Sequence, residues 1–251
     1  MLTKTLKFED DVIEVLKAMQ WSNDGLRGVL VGQLDRKLYE RTNKALEAMG
    51  GKWNRSATAH VFQFDPRPQV EGLLDSGTLE IKRDGFFETP PAVVKQMLES
   101  LDIRPLHLVL EPSAGMGAIA KEVAAKGANV YCVESNAQRA EALNKMGFNV
   151  WQEDFLSMAD DWQRFDFVVM NPPFEELQDV DHVQHAYKML CGGGALVSIM
   201  SESPFFRNDT KSKAFREWLE LVGGYSEKLP EGSFKESGTG VNCRLVVIGG
   251  A

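Results

Sequence analysis

Asn171-Pro172-Pro173-Phe174 follows the apolar run Phe165-Asp166-Phe167-Val168-Val169-Met170, and this combination can manage a planar amine. Two prolines directly after a buried strand stop its ladder and free carbonyls at the strand's carboxyl end, where open α/β sheets bind ligands. The Asn171 side-chain oxygen and the Pro172 carbonyl can then accept the two hydrogens of an amine, aligning its lone pair for attack on an electrophile. Phe174 can hold the attached ring by stacking. The plainer alternative is a rigid turn that only caps a strand.

A second set of residues lies upstream. Glu111-Pro112-Ser113-Ala114-Gly115-Met116-Gly117 runs into Ala118-Ile119-Ala120, so that Gly115, Gly117 and Ala120 have the spacing of a nucleotide-binding turn. Such a turn needs glycine because the backbone bends sharply and must approach a ligand with no Cβ in the way. Glu134, about 20 residues on, is placed to accept hydrogen bonds from both hydroxyls of a ribose. A nicotinamide dinucleotide and a packing turn beside a surface glutamate are the competing readings. Glu111-Pro112 decides against the dinucleotide, since an acid at the strand end disfavours a pyrophosphate and suits the ammonium of a methionine moiety. The cofactor expected is therefore S-adenosylmethionine. Asp154-Phe155 adds an acceptor for its adenine amine and an aromatic edge for its ring, or else is a turn and a core residue.

These residues need a scaffold that brings strand ends together. From Leu106 onward, apolar runs alternate with helical patterns: strands at 106–110, 130–133, 165–170 and 194–200, and helices at 118–125, 137–146 and 183–190. That rhythm predicts a doubly wound, mostly parallel, Rossmann-like α/β sheet. The last strand is placed after the break Gly192-Gly193-Gly194, and 225–229 with 244–248 read as a closing antiparallel hairpin. Upstream, 34–49 has helical periodicity, stops at Gly50-Gly51, and precedes the alternating run His60-Val61-Phe62-Gln63-Phe64, a small α+β unit. Pro66, Pro68 and the 72–77 region are expected to be a connection, in which short helical structure is one alternative. The division expected is 1–85 for the small unit and 86–251 for the catalytic domain.

The 251 residues carry eight more acidic than basic charges, which argues against coating nucleic acid through bulk electrostatics. Residues 1–85 are about neutral, however, and Arg36, Lys37, Arg41, Lys44, Lys52, Arg55, His60 and Arg67 make one stretch locally basic, so a nucleic-acid contact from this part is expected there. Cys132, Cys191 and Cys243 lack metal-ligand or redox spacing and suit reduced thiols; no metal is expected. No run approaches a membrane span, and Met1 to Asp11 lacks a secretory core, so a cytoplasmic protein is expected.

Taken in order, Glu111 to Gly117, Glu134, Asp154-Phe155 and Asn171-Pro172-Pro173-Phe174 resemble the amino methyltransferases of nucleic acids. They resemble in particular the N6-adenine DNA methyltransferases of restriction-modification systems, phages and mobile elements. The resemblance extends from about Phe86 to the C-terminus. It implies methyl transfer to the N6 amine of adenine in DNA, with Asn171, Pro172 and Phe174 as catalytic residues. Thr89, Pro90, Glu111, Ser113, Gly115, Gly117, Glu134, Asp154, Phe155 and Asn171 would line the cofactor site. Phe87-Glu88-Thr89-Pro90-Pro91 resembles the family's first cofactor motif, and the stretch from Leu229 to Val241 resembles its final hairpin. The chain departs from the family in having only about 60 residues between Glu111 and Asn171 and about 75 after Phe174, which leaves no room for a large target-recognition domain. Any specificity must come from the N-terminal unit or from Ser203-Pro204-Phe205-Phe206-Arg207-Asn208-Asp209-Thr210-Lys211, whose paired aromatics and cations suit a flipped base, or equally a solvated loop with one buried Phe. The Asn-Pro-Pro-aromatic motif specifies a planar amino nitrogen and not its owner. A base amine in RNA and a protein glutamine satisfy it too.

Overall fold

The computed structural model describes residues 2–62, 65–83, 87–160, 164–237 and 239–249, and divides into two compact units, 1–84 and 85–251. Gln63, Phe64 and Phe86, which the sequence reading used, lie outside the described residues.

The first unit runs β1 (Leu2–Lys7), α1 (Asp10–Lys17), β2 (Gln20–Trp21), β3 (Arg27–Val29), α2 (Arg36–Ala48), β4 (Lys52–Asn54), β5 (Ala59–Val61), α3 (Arg67–Ser76) and β6 (Thr78–Arg83). β1 and β6 pair antiparallel, and β2-β3-β5-β4 form an antiparallel sheet. Asp35 starts α2 by accepting from the amides of Lys37 and Leu38, and Leu46 of α2 packs with Val12, Leu16, Phe62, Val70 and Leu73 in a shared core. The connection expected around Pro66 and Pro68 is instead the ten-residue helix α3. Proline is tolerated in the first turn, where amides have no intrahelical partner anyway, and Gly77 ends the helix in the left-handed conformation at φ 67°.

The second unit continues with α4 (Pro91–Glu99), β7 (Leu108–Glu111), α5 (Ala118–Ala125), β8 (Asn129–Val133), α6 (Ala137–Lys145), β9 (Asn149–Trp151) and β10 (Phe165–Met170). It ends with α7 (Gln178–Lys188), β11 (Leu190–Ser201), α8 (Ser203–Phe206), α9 (Thr210–Leu221), β12 (Tyr225–Lys228) and β13 (Cys243–Ile248). Seven strands lie in the order β12-β13-β11-β10-β7-β8-β9, with β13 antiparallel to both neighbours and the remaining pairs parallel. The sheet has the Rossmann-like methyltransferase architecture, closed by the antiparallel hairpin. Both faces are covered, which is why the strands read as continuous apolar runs. Val109, Val169, Val197 and Val247 point to a core shared with α4 and α5, whereas Leu110, Val168, Leu196 and Val246 point to one shared with α7 and α9.

Two boundaries differ from the sequence reading. α7 begins at Gln178, five residues earlier, with Asp179 and Asp181 favouring its positive N-terminal end. β11 begins at Leu190 and carries the three glycines within it. Gly194 is needed there, because a Cβ would lie 2.9 Å from the Asp166 carbonyl oxygen. The register slips at this point, with Phe165 opposite Leu190 but Phe167 opposite Ala195.

Candidate active site

Chain order reverses between β7 and β10, which are adjacent in the sheet, and ligands of open α/β sheets settle at the carboxyl ends of strands at such a switch point. Glu111 is the last residue of β7, and Asn171 follows the last residue of β10.

The turn after β7 is held from below by strand β8. The amide of Ala114 donates to the Val133 carbonyl at 3.0 Å, and that of Gly117 to Ala114 at 2.8 Å. Gly115 and Gly117 both have left-handed backbone, φ 53° and 75°, which other residues adopt only at a cost. A Cβ on Gly117 would also meet Leu143 Cδ2 at 2.8 Å.

Glu134 sits just past β8, buried, and its carboxylate organises this turn. Oε2 accepts from the Gly115 amide at 2.9 Å, while Oε1 accepts from the Asn136 amide at 2.7 Å and from Arg139 Nη2 at 2.8 Å. Arg139 is buried as well. The residue expected to hold a ribose is thus also the clamp of the glycine turn, with lone-pair capacity left on Oε2.

Glu111 is buried and its Oε2 has no partner. Burial pushes its carboxyl well above the usual carboxylate range; the Ala120 amide works against the shift and the negative Glu134 adds to it. A buried acceptor of this kind fits a ligand ammonium, and with the two left-handed glycines it makes a donor and acceptor set suited to S-adenosylmethionine. Glu111→Gln is therefore expected to raise the melting temperature of the ligand-free protein by a few degrees at pH 7 to 8. Because the folded-state pKa is raised, the penalty removed is absent below the unfolded value near 4.5 and grows as pH rises through the folded one, so little gain is expected at pH 4. The same variant should bind S-adenosylmethionine or S-adenosylhomocysteine at least tenfold more weakly by calorimetry, having lost a charge-assisted bond.

In the acceptor half, the Asn171 amide is locked by its nitrogen. Nδ2 donates to the Phe87 carbonyl at 3.2 Å and to Thr89 Oγ1 at 3.0 Å, while Oδ1 is buried and has no partner. Those two bonds also determine which end of the amide is oxygen. Thr89 and Pro90 are buried, and the Pro90 carbonyl accepts from Val93 and Val94 at the start of α4. Pro172 is buried, and Phe174 is partly buried against the same core as Phe87.

Asp154 is exposed and caps a short 3-10 turn at Phe155–Ser157, accepting from the Leu156 amide at 3.1 Å. Phe155 is buried and packs against His182 and His185, ring centroids 5.4 and 4.8 Å apart. Its ring is a core residue first. The sequence reading missed His182, whose Nδ1 lies 3.4 Å from Ser113 Oγ and which burial holds at a pKa of about 4, hence neutral. It sits among Asp179, Val183 and Ala186 on the buried face of α7, so its helical position marked it as inward-facing without marking its partner. In the 203–211 segment, Phe205 packs on Phe215 and under Arg244, whereas Phe206 is 67% exposed.

The fold is that of the S-adenosylmethionine-dependent methyltransferases. Residues 94–216 match the family model of the methyltransferase small domain. Among solved structures, the chain is similar to a Vibrio vulnificus protein assigned as the modification subunit of a type I restriction enzyme (TM-score 0.56, 19% identity, 95% of this chain and 60% of that one). It is also similar to a Listeria monocytogenes protein assigned as a class I S-adenosylmethionine-dependent methyltransferase (0.51, 16%, 68% and 62%). A third is a dimethyladenosine transferase from Plasmodium falciparum (0.51, 15%, 66% and 64%). The chain thus spans less than two thirds of each of these. No curated protein matches it. The matched domain and the fold agree on S-adenosylmethionine as the cofactor. Among the described residues no helix is long and apolar enough to cross a membrane.

Proposed function

We propose that this chain transfers a methyl group from S-adenosylmethionine to the exocyclic N6 amine of adenine in DNA. The observation that carries the reading is Asn171, a half-buried residue whose amide nitrogen is tied to Phe87 and Thr89 and whose buried oxygen is left as an unpaired acceptor at the end of β10. An unsatisfied buried acceptor costs stability, so its retention beside a methyltransferase glycine turn suits a ligand that donates to it.

The exocyclic amine of adenine is conjugated with its ring and is a poor nucleophile, so orientation and polarisation are what the protein must supply. Asn171 Oδ1 accepts one amine hydrogen and the Pro172 carbonyl the other, drawing the nitrogen out of conjugation and aiming its lone pair. When bound, S-adenosylmethionine supplies a sulfonium methyl that is already a strong electrophile. Proton loss accompanies or follows attack, with no dedicated base in the motif. Phe174 stacks on a base extruded from its duplex. The likeness to a restriction modification subunit and to a dimethyladenosine transferase accords with a nucleic-acid acceptor.

Labelled-methyl transfer compared across duplex DNA, single-stranded DNA, RNA and protein, followed by mass spectrometry of the released nucleosides, tests this. N6-methyladenine in DNA is the expected product. Label confined to RNA, to protein, or to an oxygen or carbon acceptor would remove the proposal.

A further inference from the structure

We infer that the first unit carries a binding surface for unpaired DNA, in which Trp53 stacks on a base while Lys44 and Arg55 take neighbouring phosphates. The inference rests on a DNA acceptor for the second unit.

Charge comes first. Residues 1–84 are neutral overall, so the whole excess of eight acidic charges falls on 85–251. The field of the second unit repels a polyanion, and attraction has to come from local cations elsewhere. Several cations of the basic stretch are already used. Arg36 pairs with Glu40, Arg41 with Glu9 and Asp11, and Arg67 with Asp65. Lys37, Lys44, Lys52 and Arg55 are exposed and have no carboxylate partner among the described residues. Lys37 and Lys44 lie two turns apart on one stripe of α2.

Trp53 is the second, independent observation. It is 48% exposed, although a buried indole would be worth far more to a small unit. It is also fixed in place. β4 and β5 pair Trp53 with His60, whose ring it meets edge-on at 5.2 Å and 64°. His60 is fully buried, and its Nε2 is held 2.8 Å from Asn43 Oδ1, next to Lys44. The following turn is ordered by Asn54 Oδ1, which accepts from the Ala57 amide at 2.9 Å. Arg55, two residues after Trp53 and exposed, lies in that same turn. A preordered aromatic face flanked by uncommitted cations is what sequence-tolerant stacking on single-stranded DNA uses.

The test uses the full chain and fluorescence anisotropy with a labelled 20-nucleotide single strand, its duplex, and an RNA of the same sequence. Trp53→Ala is expected to weaken single-strand binding roughly 5- to 150-fold and Trp53→Phe much less. Lys44→Ala/Arg55→Ala, on two exposed side chains, should lower the slope of log affinity against log salt by about 1.4. Methyl transfer by wild-type protein, assayed in parallel, separates the two readings. Transfer to DNA with single-strand affinity and salt slope unchanged in these variants overturns the surface and leaves the function standing; so does preference of these residues for the RNA. No detectable binding of wild-type protein to the single strand overturns the surface as well.

Discussion

Asn171→Ala is expected to lower methyl transfer to adenine-containing DNA by about 10²- to 10³-fold, the usual loss when one preorganised polar contact to a reacting group is deleted. The loss should appear in kcat, since the acceptor acts on the amine as it becomes nucleophilic. The deleted amide also donates to Phe87 and Thr89, so the segment ahead of α4 loosens, and cofactor affinity is expected to fall by a few-fold at most. Single-turnover transfer and calorimetry with S-adenosylhomocysteine, measured on the same preparation, check the two halves of this statement. Near wild-type turnover in a folded Asn171→Ala protein would dismiss the reading of the site. Phe174→Ala should act differently, raising KM for DNA more than it lowers kcat, because the ring holds the base and does not touch its reacting nitrogen.

The second large effect concerns Glu134. Its removal takes a carboxylate away from the buried Arg139 guanidinium and frees the amides of Gly115 and Asn136 at once. Breaking one side of a buried ion pair costs about 3 to 5 kcal/mol, which for a domain of this size is a fall in melting temperature on the order of 10 °C. Glu134→Ala is therefore expected to weaken cofactor binding through two routes, loss of the proposed ribose contacts and a collapsed glycine turn. Glu134→Gln keeps an acceptor for Gly115 and should be the milder variant in both melting temperature and cofactor affinity. If the alanine variant matched wild type in thermal stability, the clamp described for Glu134 would be incorrect.

Elements whose signal is local were legible in the chain. β10 coincides with its apolar run, and β8, α6 and the closing hairpin fall within a residue or so of the periodicities that announce them. The mostly parallel, doubly wound sheet followed from the alternation of strand and helix, because parallel strands need a crossover between them. The first 35 residues were not legible. β2 and β3 are two and three residues long, too short for any period, and β1 finds its partner β6 more than seventy residues away. The start of α7 is not marked by apolar periodicity, because its first turn carries Asp179 and Asp181.

In the site, glycine spacing and the proline pair were visible because they act on their own backbone. The Arg139 partner of Glu134, the Thr89 anchor of Asn171, the lone Glu111 oxygen and the Ser113 contact of His182 each depend on a residue brought in from elsewhere, and no spacing encodes them. The ion pairs of the basic stretch were hidden for the same reason: Glu9 and Asp11, which neutralise Arg41, are thirty or more residues distant.

Helix α7 touches more of the site than its position after the proline motif suggests. Asp179 at its first turn accepts from the Ser201 amide and hydroxyl at the end of β11, Asp181 pairs with Lys211 of α9, and His182 reaches Ser113 in the glycine turn. Two residues in left-handed backbone, Glu176 and Leu177, join it to the motif that bears Asn171. One rigid rod thus serves as the common datum for both ends of the transfer path. On the proposed reading, a shift of this helix would be felt both at the turn expected to cradle the methyl donor and at the motif expected to anchor the amine. A separation held by one part resists drift better than one assembled from two, and in-line transfer between two bound molecules tolerates little error in that distance.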